Sequence, residues 1–462
     1  MAAAIVATYR HVKRHSPALA AVLLAGVLVR IVLSVTLFWL SSQNVAALAH
    51  LHSGDGFWQL APDARSYYRD AAIAAAQGLD TVTDLRGSYG FVLVLAAWLR
   101  LAGMHPLAGA WLNVLLYVCI MLLIVRATSW SLEARRLAVP AAIGFSFAPL
   151  FVVHSTQPMK EALFAAQVVW MGAALSVWIR QIRHGDPGRW PAAIAALVIC
   201  TALTLLMGSI RIYYAWLTWA ALAAALLVFA PFREPRRLGR YGSHAALGLG
   251  LLWVAANTGA GPSYQNPLAR WIGDRSRPLA TVLDFRIGGH DQVRPVALYA
   301  SAGAEITDVR ERFEEAGGST TMVFSPRLAR LVGDTLAGEA VGVALMLIPV
   351  SILRAAEIVT FDGGRGLLFL TDLDTLFCDA VLIVLLLAAL RVRRSTAWAP
   401  ELWLFSIALA VVTALAIAFV ITNYGTLVRL RMLVVMPIWA FPAALAAVRA
   451  AGRPTSPASI AS

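Results

Sequence analysis

Leu19–Leu40 reads LAAVLLAGVLVRIVLSVTLFWL, and how that stretch is read decides the fold. It carries a single charge, Arg30, and matches the roughly 20 apolar residues that a helix needs to cross about 30 Å of hydrocarbon. The run is too long for the apolar region of a signal peptide and lacks a convincing cleavage site, so it is expected to be a retained first span. Arg10, Lys13 and Arg14 precede it. Basic residues flank spans mainly on the cytoplasmic side, which places the N-terminus inside and sends Ser41 onward outside.

The same pattern recurs as far as Val448. With 60% hydrophobic and only 14% charged residues and a mean hydropathy of +0.72, the 462-residue chain is expected to be a polytopic membrane protein. A soluble enzyme, a nucleic-acid-binding protein and a disordered chain are excluded on the same grounds. The net charge of +13 then reports orientation rather than an anionic polymer as partner. Cys119, Cys200 and Cys378 lie far apart, each in or at the edge of an apolar run, and read as small hydrophobes.

Ten spans follow, with both termini cytoplasmic: Leu19–Leu40, Pro106–Val125, Leu137–Val153, Ala162–Ile179, Ala192–Met207, Ala215–Phe232, Ala245–Thr258, Leu376–Leu390, Leu402–Ile421 and Leu427–Val448. In this phase the clusters Arg126/Arg135/Arg136, Arg180/Arg183/Arg189, Arg233/Arg236/Arg237/Arg240 and Arg391/Arg393/Arg394 all fall inside. Two short apolar runs are read as juxtamembrane or interfacial: Phe91–Leu101, with Arg100 near its end, and Val341–Ile352, broken by Pro349. The organisation expected is an all-α transmembrane bundle. It comprises an N-terminal membrane module over 1–258 with a long first outside loop at 41–105, an extracytoplasmic loop or small cap over 259–335, and a C-terminal membrane segment over 336–462.

Three groups of residues could carry chemistry. In Pro62-Asp63-Ala64-Arg65-Ser66-Tyr67-Tyr68-Arg69-Asp70, the side chains of Asp63, Tyr67 and Asp70 fall on one helical face. Asp63 could serve there as a general base or metal ligand, or simply cap the helix that follows. Lys160 and Glu161, after Pro158, form an ionisable pair at the head of a span, which could equally be an interfacial anchor. Arg211, Arg429 and Arg431 enter spans from the outside, against the positive-inside bias. Each therefore needs a partner, either a phosphate or one of Asp63, Asp70 and Glu161. The histidines show no ligand spacing, and there is no serine-histidine-acid constellation.

An outside loop with an acidic residue followed by paired tyrosines (Asp63, Tyr67, Tyr68), then Gly90–Leu95 closing in Leu99-Arg100-Leu101-Ala102-Gly103, resembles the C-type (GT-C) membrane glycosyltransferases. The similar branch contains the protein O-mannosyltransferases and the lipid A aminoarabinose transferases. Leu112-Asn113-Val114-Leu115, Glu161, Arg211-Ile212-Tyr213 and the terminal stretch Gly425–Arg431 also look like that pattern. Ser88-Tyr89-Gly90 stands where the family's proline pair is usual, and no large soluble C-terminal domain follows. The resemblance implies that Asp63 is the catalytic residue and that the first outside loop folds into juxtamembrane helices.

It further implies inverting transfer of a sugar from a polyprenyl-phosphate donor to a glycan, lipid or protein acceptor hydroxyl, at the outer side of a cell membrane. Because the leaving group is already a phosphate, one carboxylate to deprotonate the acceptor suffices. Tyr67, Tyr68, Lys160, Glu161, Arg211, Arg429 and Arg431 would then bind substrate, the cations stabilising the departing phosphate. No cofactor is assigned; a divalent cation could sit at Asp63, which would serve as its ligand. The competing functions are a polysaccharide polymerase or ligase using a lipid-linked glycan, and a polytopic transporter or flippase, which would carry ionisable residues near the middle of its spans.

Overall fold

The computed structural model describes residues 2–48, 51–58, 61, 63–79, 88–128, 132–185, 189–259, 322–324, 344–345, 347–357, 359–361, 364–392, 400–420 and 424–450. Most of the expected cap at 259–335 lies outside the described residues, as do the expected basic residues Arg393 and Arg394.

Helices dominate. Among the described residues six are long and apolar enough to cross a membrane: α2 (Pro17–Ser42), α5 (Pro106–Thr128), α8 (Glu161–His184), the first half of α9 (Trp190–Val228), α12 (Gly364–Val392) and α13 (Pro400–Val420). A seventh is reached if α6 (Leu132–Phe147) and α7 (Pro149–Ser155), which meet at 54°, count as one broken span. The three remaining expected spans also fall on helices. They are the second half of α9, α10 (Pro235–Gly259) and α14 (Tyr424–Ala450). The apolar part of α8 is 89% buried, against 33–67% for the other five candidates, so α8 is the central helix; it packs on α5, α9 and α14.

The first long loop holds two helices and, in addition, a strand pair that was not expected. A short hairpin of β1 (His52–Gly54) and β2 (Phe57–Trp58) precedes α3 (Asp63–Gln77) and α4 (Tyr89–Ala102). At 1.5 Å per residue the 14 residues of α4 cover about 21 Å, too little to cross alone, in line with the juxtamembrane reading. Arg100 joins the two helices by donating to the carbonyls of Ala74 (3.1 Å) and Ala75 (2.9 Å) at the C-terminal end of α3, where a cation is favoured. A glycine is needed at the head of α4: a Cβ on Gly90 would stand 1.8 Å from Ser209 Oγ on α9.

Arg30, the one charge in the first span, is fully buried. Its role follows from Pro149, which has no N–H and so cannot bond the Phe145 carbonyl four residues back. Arg30 supplies the missing donors, reaching the carbonyls of Phe145 (2.7 Å), Ser146 (2.8 Å) and Gly26 (3.1 Å). Its guanidinium also lies over the Tyr117 ring, 4.1 Å from the centroid. With no water in the hydrocarbon to satisfy a broken helix, such side-chain donors are what let the break persist.

The run expected at Val341–Ile352 becomes, after Pro349, the one-and-a-half-turn α11 (Val350–Ala355). Beside it β3 (Met322–Phe324) pairs antiparallel with β4 (Val359–Phe361), so two small strand pairs accompany the helices.

Candidate functional site

The loop between α7 and α8, Thr156-Gln157-Pro158-Met159-Lys160, carries the candidate residue Lys160, and it is held at three points by α5 and β2. Asn113 of α5 donates to the Gln157 carbonyl (2.6 Å) and the Ser155 carbonyl (3.4 Å). The Gln157 side chain accepts the Trp58 amide of β2 (3.1 Å). Pro158 rests on Gly109 of α5, where a Cβ would come within 2.5 Å of the ring. The loop is therefore nearly all buried, only Lys160 being partly exposed.

This anchoring delivers Lys160 to the first loop. Its Nζ donates to Ser88 Oγ (2.6 Å) and stands 5.3 Å from the centroid of the Tyr67 ring. Tyr67 Oη in turn lies 3.1 Å from Ser88 Oγ, and its ring packs edge-on against Phe91. Ser88 occupies the N-cap position of α4 without capping it, its hydroxyl turned instead to Lys160 and Tyr67. The Tyr67 phenol is pushed up to about 12, first by burial and then by the negative charges of Asp63 and Glu161, with the Ser88 bond and Arg211 opposing. Asp63 opens α3, a position where its charge favours the helix, and it is only half-buried.

Glu161 starts α8 and accepts from Arg211 Nη2 at 3.4 Å; the two side chains are 4% and 9% exposed. Arg211 reaches it because α9 loses helical geometry at that residue (φ −150°, ψ 82°), and Tyr213 Oη accepts from the same guanidinium (2.7 Å). The alternative of an internal carboxylate partner for Arg211 is thus realised. Tyr68 turns from this group towards Phe57.

Arg431 belongs elsewhere. It is 1% exposed and ion-paired with Asp374 of α12, and it also donates to Thr375. Asp374 is not among the residues singled out from the sequence, since it stands two residues ahead of the expected span Leu376–Leu390, among other polar residues such as Asp372 and Thr375. Arg429 lies on α14, its side chain outside the described residues. Among the described residues no three His, Cys, Asp or Glu side chains gather as a metal site, so a cation at Asp63 would need ligands beyond such a cluster. No family model, curated protein or solved structure matches the chain.

Proposed function

We propose that the chain is an inverting, C-type membrane glycosyltransferase that moves a sugar from a polyprenyl-phosphate donor to an acceptor hydroxyl on the extracytoplasmic side. What supports the reading is the meeting of Lys160 with Ser88 and Tyr67, in the electrostatic neighbourhood of Asp63 and Glu161. A cation over Tyr67, with carboxylates near enough for their charge to act on the same phenol, supplies the two kinds of charge that such a transfer needs. Asp63 takes the proton of the acceptor hydroxyl as its oxygen bonds to the sugar C1; the bond from C1 to the phosphate oxygen breaks, and the lipid phosphate leaves with the electron pair. Arg211 and Arg431 are committed to buried carboxylates, so in this reading Lys160, with Arg429, steadies that phosphate. Ten spans, cytoplasmic termini and an outer cap at 259–335 belong to the same proposal.

The test is sugar transfer or slow hydrolysis with a panel of polyprenyl-phosphate monosaccharides, comparing wild type with Asp63→Asn. Turnover that the folded variant lacks supports the reading and identifies the donor. Equal turnover by the variant removes Asp63 as base. No turnover of any donor favours the second reading, a transporter or flippase, for which the broken span α6/α7 speaks.

A further inference from the structure

Asp374 lies deep in the bundle at 0% exposure and makes two kinds of contact. One carboxylate oxygen accepts the backbone amide of Leu150, the second residue of α7, at 2.9 Å. The other takes the guanidinium of Arg431 and the thiol of Cys378 (3.8 Å). A carboxylate alone would be costly in a membrane bundle, and Arg431 neutralises it. The pair thereby ties α12 and α14 to the head of a seven-residue helix that has no other long-range amide bond at that end among the described residues.

The far end of α7 runs straight into the loop that carries Lys160 and Glu161. Ser155 and Thr156 fold their hydroxyls back onto the carbonyls of Val152 and Val153, both at 2.7 Å, so helix and loop continue without slack. Asn113, Gly109 and Trp58 then grip the loop within the next three residues. A displaced α7 would drag Lys160 off Ser88, since a bond of 2.6 Å does not survive a shift of about 1 Å.

We infer that Asp374 is a positioning residue: by accepting the Leu150 amide it sets α7, and through α7 it sets the loop bearing Lys160 and Glu161, with Arg431 as its counter-ion. The importance of that loop rests on the function proposed above, whereas the mechanical coupling does not. An asparagine would keep an acceptor for the Leu150 amide, while an apolar residue would not. The ion pair as such and the capping bond can therefore be separated.

The experiment compares two double variants of the full chain in detergent by hydrogen exchange. Asp374→Asn with Arg431→Gln removes both charges and keeps the acceptor; Asp374→Leu with Arg431→Leu removes both and leaves no acceptor. Amides from Leu150 to Lys160 should exchange as in wild type in the first, and about tenfold faster or more in the second, with exchange in α8 beyond its first turn unchanged in both. If the leucine pair does not fold, Asp374→Ser with Arg431→Gln serves, the serine side chain being one atom too short to reach the amide. Equal exchange in the two double variants would overturn the inference and reduce the pair to a simple structural ion bridge. Faster exchange with undiminished sugar turnover would leave the coupling standing and overturn the reading of the loop as the site.

Discussion

Arg30 and Asp374 take up the two halves of one interrupted hydrogen bond. In an unbroken helix the Leu150 amide would bond the Ser146 carbonyl; here Arg30 donates to that carbonyl and Asp374 accepts that amide. The bend between α6 and α7 is thus closed on its negative end by a cation and on its positive end by an anion, the pairing that helix dipoles favour. Charges in the hydrocarbon are usually read as signs of transport, and here two of them have a structural task instead.

Arg30→Met should leave the carbonyls of Phe145 and Ser146 without donors. At about 1–3 kcal/mol for each buried unsatisfied group, a loss near 3 kcal/mol is expected. Arg30→Lys should recover only part, because one ammonium cannot present a planar fork to two carbonyls. Thermal unfolding in micelles measures both, and an unchanged melting temperature for the methionine variant would refute the capping role.

Glu161 and Arg211 should be mutually dependent. Either Glu161→Gln or Arg211→Gln alone leaves a buried charge facing a neutral group, at a cost of about 3–5 kcal/mol. The double variant should regain more than half of that, which a double-mutant cycle reads directly. Additive losses would show that the two side chains act separately.

Tyr67 should make stability fall at alkaline pH. Its folded pKa of about 12 lies above the ordinary tyrosine value of 10.0, so the folded protein holds the phenolic proton more tightly than the unfolded chain. This stabilisation is complete below pH 10 and is lost as pH rises towards 12. The slope of melting temperature against pH in that window should be shallower in Tyr67→Phe than in wild type; identical slopes would contradict the assignment.

The proposed orientation predicts which sites an impermeant thiol reagent reaches. With Cys119, Cys200 and Cys378 replaced by serine, a cysteine at Met104, 53% exposed between α4 and α5, should label from outside intact cells. One at Glu234, 53% exposed ahead of α10, should label only after the membrane is opened. The reverse pattern would invert the topology and put the Lys160 loop in the cytoplasm.

Apolar run length and the spacing of arginine clusters were enough to locate helices, because lipid imposes a minimum length and a charge bias that act locally along the chain. That is why the expected spans fall on helical stretches, the third of them broken between α6 and α7, and why the short run after Gly90 reads as juxtamembrane. Asp63, Tyr67, Lys160, Glu161 and Arg211 were likewise visible as charges or hydroxyls in places that apolar packing does not require. Their partners were not. Arg211 pairs with Glu161 fifty residues away, Lys160 with Ser88 seventy-two away, and Arg431 with Asp374 fifty-seven away. Nothing in a local pattern distinguishes an arginine waiting for a phosphate from one already bonded to a distant carboxylate. The sequence by itself determined a helical membrane protein and marked out charged and hydroxyl side chains as candidates. Only the tertiary structure decided which of those charges neutralise one another, because that depends on how the helices pack.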